Sequence, residues 1–115
     1  MPPPLGVQKF VWNTKTRKFD NAWINKEVDN SDVMVLVVSA ATGLLYCASK
    51  SNGDYEYVGL DWETGEIKQT WQFPDDSRAW NAFGGITTIL DDGDLLIGGA
   101  FAIKRMIDAP DELNL

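Results

Sequence analysis

The sequence predicts an all-β fold of antiparallel four-stranded meanders, and three observations carry that prediction. A stretch is written twice: Val11-Trp12-Asn13-Thr14-Lys15-Thr16-Arg17-Lys18-Phe19, running on to Trp23, returns about 48 residues later as Gly59-Leu60-Asp61-Trp62-Glu63-Thr64-Gly65-Glu66-Ile67, running on to Trp71. A second pair is interleaved with the first. Val35-Leu36-Val37-Val38 leads through Gly43 to Leu44-Leu45-Tyr46, and about 50 residues on Ile86-Thr87-Thr88-Ile89-Leu90 leads through Gly93 to Leu95-Leu96-Ile97. No amphipathic helical period interrupts either pair. Two interleaved pairs at nearly one offset imply a repeated unit of roughly 50 residues, and periods of about 40 to 50 residues with four strands each belong to β-propeller blades. The chain then holds about two blades. A β-sandwich or barrel is the alternative.

Each element follows from local chemistry. Residues 1–7 read as an extended arm, because three successive prolines favour polyproline II and cannot donate to a ladder. Residues 8–13 and 18–25 form a hairpin around the turn at 14–17, with Phe10, Trp12, Phe19 and Trp23 spaced for strands. The polar run 26–32 is a loop. Residues 33–38 are the most apolar segment, short and β-branched, and are expected to form a strand buried on both faces. Ala40-Ala41-Thr42-Gly43 turns the chain into a partner strand at 44–49. Ser51-Asn52-Gly53-Asp54 is a strong hairpin signal, since Asn-Gly supplies the positive φ that a type I′ turn demands. Residues 55–61 therefore fold back on 44–49, and after Thr64-Gly65 an outer strand alternates Ile67, Gln69 and Trp71 against Lys68, Thr70 and Gln72.

Beyond a loop at 74–78, residues 83–90 and 95–103 are expected to make one more hairpin around Asp91-Asp92-Gly93-Asp94. The segment 108–115 reads as an acidic tail. Residues 8–107 thus form a single all-β domain: an outer hairpin at 8–25, a complete four-stranded unit at 33–73 and an inner hairpin at 83–103. The first hairpin looks like the outer pair of a blade whose inner pair resembles the last one. Two blades cannot close a ring, because each buries its faces against neighbours. The expectation is a homo-oligomer with subunit contacts across Trp23 and Trp71, or part of a longer propeller.

Composition limits the partners. The chain has 115 residues, 44% of them hydrophobic, enough for a sizeable core. Its net charge of -7 argues against nucleic acid or an anionic membrane, since a phosphate binder needs a basic face. The single cysteine, Cys47, has no partner for an internal disulfide. Neither a signal-peptide pattern nor a membrane-length apolar run is visible, so a cytoplasmic location is expected.

Asp61-Trp62-Glu63-Thr64-Gly65-Glu66-Ile67, followed by Trp71, resembles the repeat of quinoprotein-like propellers. In that family the Asp and the Thr-Gly shape the turn closing a blade's outer hairpin, and the Trp docks between adjacent blades. The earlier copy carries Arg17 at the glycine's place. The resemblance implies a propeller fold. It implies the family's quinone only if residues lining a cofactor site were present, and none is identified, so no cofactor is expected.

The chain contains no histidine, which removes Ser-His-Asp and Cys-His nucleophiles and His-ligated zinc. Catalysis would rest on carboxylates. Asp75, Asp76, Asp91, Asp92 and Asp94 are the candidates for an acid/base pair, and Asp91, Asp92 and Asp94 for a calcium site, although Asp-Gly is also ordinary hairpin chemistry. Of the five tryptophans, Trp23 and Trp71 are assigned to interfaces between blades, while Trp62 and Trp80 sit beside polar loop residues. Trp62, Arg78, Trp80 and Asn81 combine indole, guanidinium and amide groups suited to a polar ligand. Gly84-Gly85 and Gly98-Gly99 are read as places where another backbone comes close. The leading functional expectation is a binding or scaffold module presenting loops to a protein or carbohydrate. A carboxylate-based, calcium-dependent hydrolase or lactonase is the alternative, and a structural ring-assembly unit the third.

Overall fold

The computed structural model of the chain describes residues 6–28, 36–49, 55–73, 87–98 and 103–107. Among them are nine strands and no helix: β1 (Val7–Asn13), β2 (Lys18–Asn25), β3 (Val37–Ser39), β4 (Leu44–Ser49), β5 (Glu56–Asp61), β6 (Ile67–Gln72), β7 (Thr87–Ile89), β8 (Leu95–Gly98) and β9 (Ile103–Met106). Every pairing is antiparallel between sequence neighbours, giving a two-stranded first sheet, a four-stranded central sheet and a three-stranded third sheet. No described helix is long and apolar enough to cross a membrane.

The two inner strands of the central sheet, β4 and β5, are buried on both faces, and their two-residue period sorts the side chains into two cores. Leu45, Cys47, Val58 and Leu60 face one way and join Val7, Trp23 and Val28 from the first sheet and the segment after it. Tyr46, Ala48 and Tyr57 face the other way and join Leu95, Ile97 and Met106 from the third sheet. Trp71 tilts against both tyrosines, with centroids 6.1 and 6.2 Å away. The Tyr57 hydroxyl hydrogen-bonds Thr87 Oγ1 across the second core. Trp23 and Trp71, expected at contacts between subunits, are therefore engaged between sheets of one chain.

The duplicated stretch folds as a duplicated hairpin. Asn13 Oδ1 accepts the backbone N–H of Lys15 and Thr16 at 2.9 and 3.1 Å, and Asp61 Oδ1 accepts those of Glu63 and Thr64 at 2.8 and 3.0 Å. Each turn closes the same way, Arg17 N–H on the Asn13 carbonyl and Gly65 N–H on the Asp61 carbonyl, both at 2.8 Å. Arg17 takes the left-handed backbone of its glycine counterpart, φ 57° against 78°.

Three expectations are corrected. Residues 95–103 are not one strand: the chain reverses between Gly98 and Ile103, and Ile103–Met106 pairs back on β8. Gly98, the last residue of β8, offers no side chain to pack, and glycine weakens a strand interior. The third sheet therefore resembles the first three strands of the central sheet, not an inner hairpin, and with the first sheet it supplies five strands on opposite faces of the centre. The segment around Val37 is not buried on both faces, since Leu36 is 37% and Val38 44% exposed. Among the described strands it pairs with β4 alone, at the edge of the sheet. At Gly98 an added Cβ would meet nothing within 4 Å, so no described backbone requires a glycine there. The type I′ turn at 51–54, residues 33–35, Gly84, Gly85, Gly99 and the tail lie outside the described residues.

Two glycine turns separate backbone strain from contact. A Cβ on Gly65 would lie 2.5 Å from Cδ2 and Cε3 of Trp23, whereas one on Gly43, also left-handed at φ 69°, would meet nothing. Gly43→Ala is expected to cost about 1–2 kcal/mol from φ alone, and Gly65→Ala roughly 2–5 kcal/mol because overpacking adds to it. Denaturant unfolding of the two variants measures the difference.

Candidate functional site

The most elaborated polar constellation among the described residues lies where the first sheet meets the turn after β5. Asp61 ends that strand, and the two N–H groups its carboxylate accepts hold 62–64 in a tight loop. Trp62 N–H donates to the Gly43 carbonyl at 2.9 Å, tying this turn to the one between β3 and β4. The Trp62 side chain is left on the surface, as the sequence indicated.

Two side chains of the first sheet converge on this turn. Trp23 Nε1–H and Lys9 Nζ each donate to the Trp62 carbonyl at 2.9 Å. The Lys9 ammonium also stands 4.1 Å from the centroid of the Trp62 ring, an arrangement favoured by the ring's negative face. One residue after Ile24, the buried Asn25 donates from Nδ2 to the Gly65 carbonyl at 2.7 Å, while its Oδ1 accepts the N–H of Glu27 and Val28. Beside these contacts runs an open groove of about 610 Å³, lined by Asn25, Lys26, Glu27, Thr64, Gly65 and Glu66 among others. It offers carboxylates, an ammonium and a hydroxyl beside the side chains of Ile24 and Ile67.

Of the sequence-predicted ligand residues, Trp62 is at this site, and Arg78, Trp80 and Asn81 lie outside the described residues. Asp75 and Asp76 do as well. Lys9 and Asn25 were missed. Neither carries a motif, and only the stacking of the first sheet on the turn brings them to Trp62.

The aspartate turn at 91–94 is built differently. Gly93 N–H reaches the Leu90 carbonyl, Leu90 N–H reaches the Asp94 carbonyl, and Asp94 N–H reaches Asp92 Oδ1. Arg105 on β9 spans the two carboxylates: Nε donates to Asp94 Oδ2 at 2.8 Å and a terminal nitrogen to Asp92 Oδ2 at 2.9 Å. The hydrogen bond to Asp94 is the main cause of a raised Arg105 pKa. Asp91 is exposed. Among the described residues no group of three or more acidic or thiol side chains could hold a metal ion.

Other reactive groups are muted by burial. The Cys47 thiol, in the first core, is pushed up to about 12 by desolvation, so thiolate is scarce at neutral pH. Desolvation likewise raises Tyr57 and lowers Lys104.

Asp61 titrates below the ordinary carboxylate range, chiefly because it accepts the backbone N–H of Thr64 and then of Glu63. A folded-state pKa below the unfolded one gives stability that is present above about pH 4 and fades as acid protonates the folded carboxylate. Asp61→Asn is expected to fold, as Asn13 performs the same task uncharged, and to flatten that acid dependence in melting experiments.

No protein-family model and no solved structure matches the chain. It is similar to an uncharacterized protein of Archaeoglobus fulgidus, 29% identical over 108 residues. The match covers 92% of this chain and 20% of the relative, so the chain spans about a fifth of that protein's length.

Proposed function

We propose that the three sheets are successive blades of a quinoprotein-like β-propeller and that the chain is a binding and scaffold module. Its ligand, a protein or a carbohydrate, is taken at the turns around Trp62. One observation carries the architectural reading. Trp23 and Trp71 occupy the same place in the repeat, and each sends its indole N–H to a backbone carbonyl of the next sheet, Trp62 at 2.9 Å and Ile107 at 3.1 Å. That is the docking role the resemblance assigns to this tryptophan.

Strand order supports the same reading. β1 and β2 correspond to β5 and β6, while β7 to β9 correspond to β3 to β5. The two outer sheets lie on opposite faces of the central one, so the ring is completed by further sheets, from a longer chain or from further copies. The archaeal relative, about five times as long as the matched stretch, has room for such an array.

Binding is favoured over catalysis because, among the described residues, several of the groups that would do chemistry are engaged or buried. Asp92 and Asp94 hold Arg105, Cys47 is buried, and histidine is absent. Millimolar calcium is therefore expected to leave the melting temperature unchanged. A rise would restore the calcium-dependent hydrolase, since a ligand binding only the folded state must stabilise it.

The docking itself is tested by a double-mutant cycle. Trp23→Leu makes room for the methyl of Gly65→Ala, so the double variant is expected to be more stable than the sum of the singles by about 1 kcal/mol or more. Additive effects would sink the blade reading. For the ligand, the full chain and Trp62→Ala are compared on arrays of oligosaccharides and peptides. The expected result is binding that weakens at least tenfold in the variant while its melting curve is kept. Binding indifferent to Trp62 would move the ligand site elsewhere.

A further inference from the structure

The outward face of the first sheet is an unsheathed aromatic surface. Register places Phe10, Trp12, Phe19 and Ile24 on the side away from the central sheet, and they are 55%, 50%, 67% and 49% exposed. Phe19 holds both neighbours edge-on, at 6.3 Å from Phe10 and 5.1 Å from Trp12. In the repeat, Phe10 and Trp12 stand where Val58 and Leu60 stand in the central sheet, and those two are covered by a neighbouring sheet. Gln8 and Asn21, hydrogen-bonded to each other at 2.8 Å, share this side, and an exposed face so rich in large apolar side chains marks an interaction site.

We propose that this face is covered by a second copy of the chain, which seats on it the outward face of its third sheet, so that copies join head to tail. This rests on the blade reading for the equivalence of the sheets. Two observations select the occupant. The first is charge. Residues 6–28 carry five Lys or Arg against two Asp or Glu, while Asp91 and Asp92 are exposed on the turn of the third sheet. Lys15, Arg17 and Lys18 are all exposed beside the aromatic face.

The second is steric. Gly65 accepts the Trp23 ring only because it lacks a Cβ, and Arg17, its counterpart on the first sheet, has one in the same left-handed conformation. The Arg17 turn cannot receive an indole in that way. The described residues of the third sheet contain no tryptophan, and their outward side presents Leu96, Ile103 and Ile107, with Ile103 77% exposed, together with Arg105, whose guanidinium is held by Asp92 and Asp94. The aliphatic side chains of this face meet the aromatic rings, Arg105 being already paired with its two carboxylates, and no ring has to enter the blocked turn. Such a contact is heterologous, and its repetition makes a ring or an open string of copies.

The full chain is tested by light-scattering mass after gel filtration at micromolar concentration, with Phe19→Glu and Ile103→Glu, two exposed positions, as variants. Wild type is expected to exceed its 12.8 kDa chain mass and to dissociate as salt rises. Each variant alone is expected to associate at least tenfold more weakly, because a buried unpaired carboxylate opposes contact. Mixed in equal amounts, they are expected to form a one-to-one dimer, since each keeps the face the other lacks. Melting curves check folding, and Phe19→Ser and Ile103→Ser stand in for a variant that fails. A monomeric wild type overturns the proposal. So does an assembly that Ile103→Glu leaves intact, which would mean first sheet against first sheet or another occupant. Coupling between positions 23 and 65 is read within one chain, so the blade reading stands or falls separately.

Discussion

The seating of an indole on a bare peptide is what the rest of the fold depends on. Trp23 lies so close to the backbone at Gly65 that no side chain fits between them, and its ring N–H finds a carbonyl one turn away. Burying a ring of this size contributes several times what any one hydrogen bond adds. The hydrogen bonds supply direction instead. Trp23, Lys9 and Asn25 all donate to carbonyls of a single five-residue turn, so the first sheet can meet the central one in one orientation.

The same constraint explains why the turn is so fully tied. A loop that serves as a docking platform has to be rigid before the indole arrives. The Asp61 carboxylate, the Gly65 N–H and the link from Trp62 to Gly43 satisfy its backbone from three directions. The surface left over, the outer ring face of Trp62 with the groove beside it, is held still by a core that lies on its other side. On the proposed binding reading, recognition at such a platform loses little entropy.

Much of the fold was legible because it is written in local, short-period signals. Alternation on β6, the Thr-Gly turn and the interleaved repeat all report on neighbours in sequence, and they gave the central meander strand by strand. What escaped was set by distance. The reversal after Gly98 depends on a pairing with Ile103–Met106 that only the paired β8 reveals. Val38 reads as core by composition, yet it lies on an edge strand whose cover is incomplete. The site was half visible for the same reason. Trp62 announced itself by its motif, but Lys9 sits 53 residues away and Arg105 11 to 13 residues from its carboxylates. No spacing rule links an unremarkable lysine to a distant ring, whereas two sheets packed face to face do so at once.

The two-sided burial of β4 bears on which changes in length the chain tolerates. Leu45 and Cys47 belong to a chamber of aliphatic side chains closed by Trp23, while Tyr46 and Ala48 belong to one holding both tyrosines and Trp71. Adding a single residue within this strand would turn every later side chain to the opposite chamber, pushing a tyrosine among valines and leaving a void beside Trp71. Swaps of similar volume can be absorbed there, but insertions belong at the hairpin rims, and variation among related chains should collect in those rims.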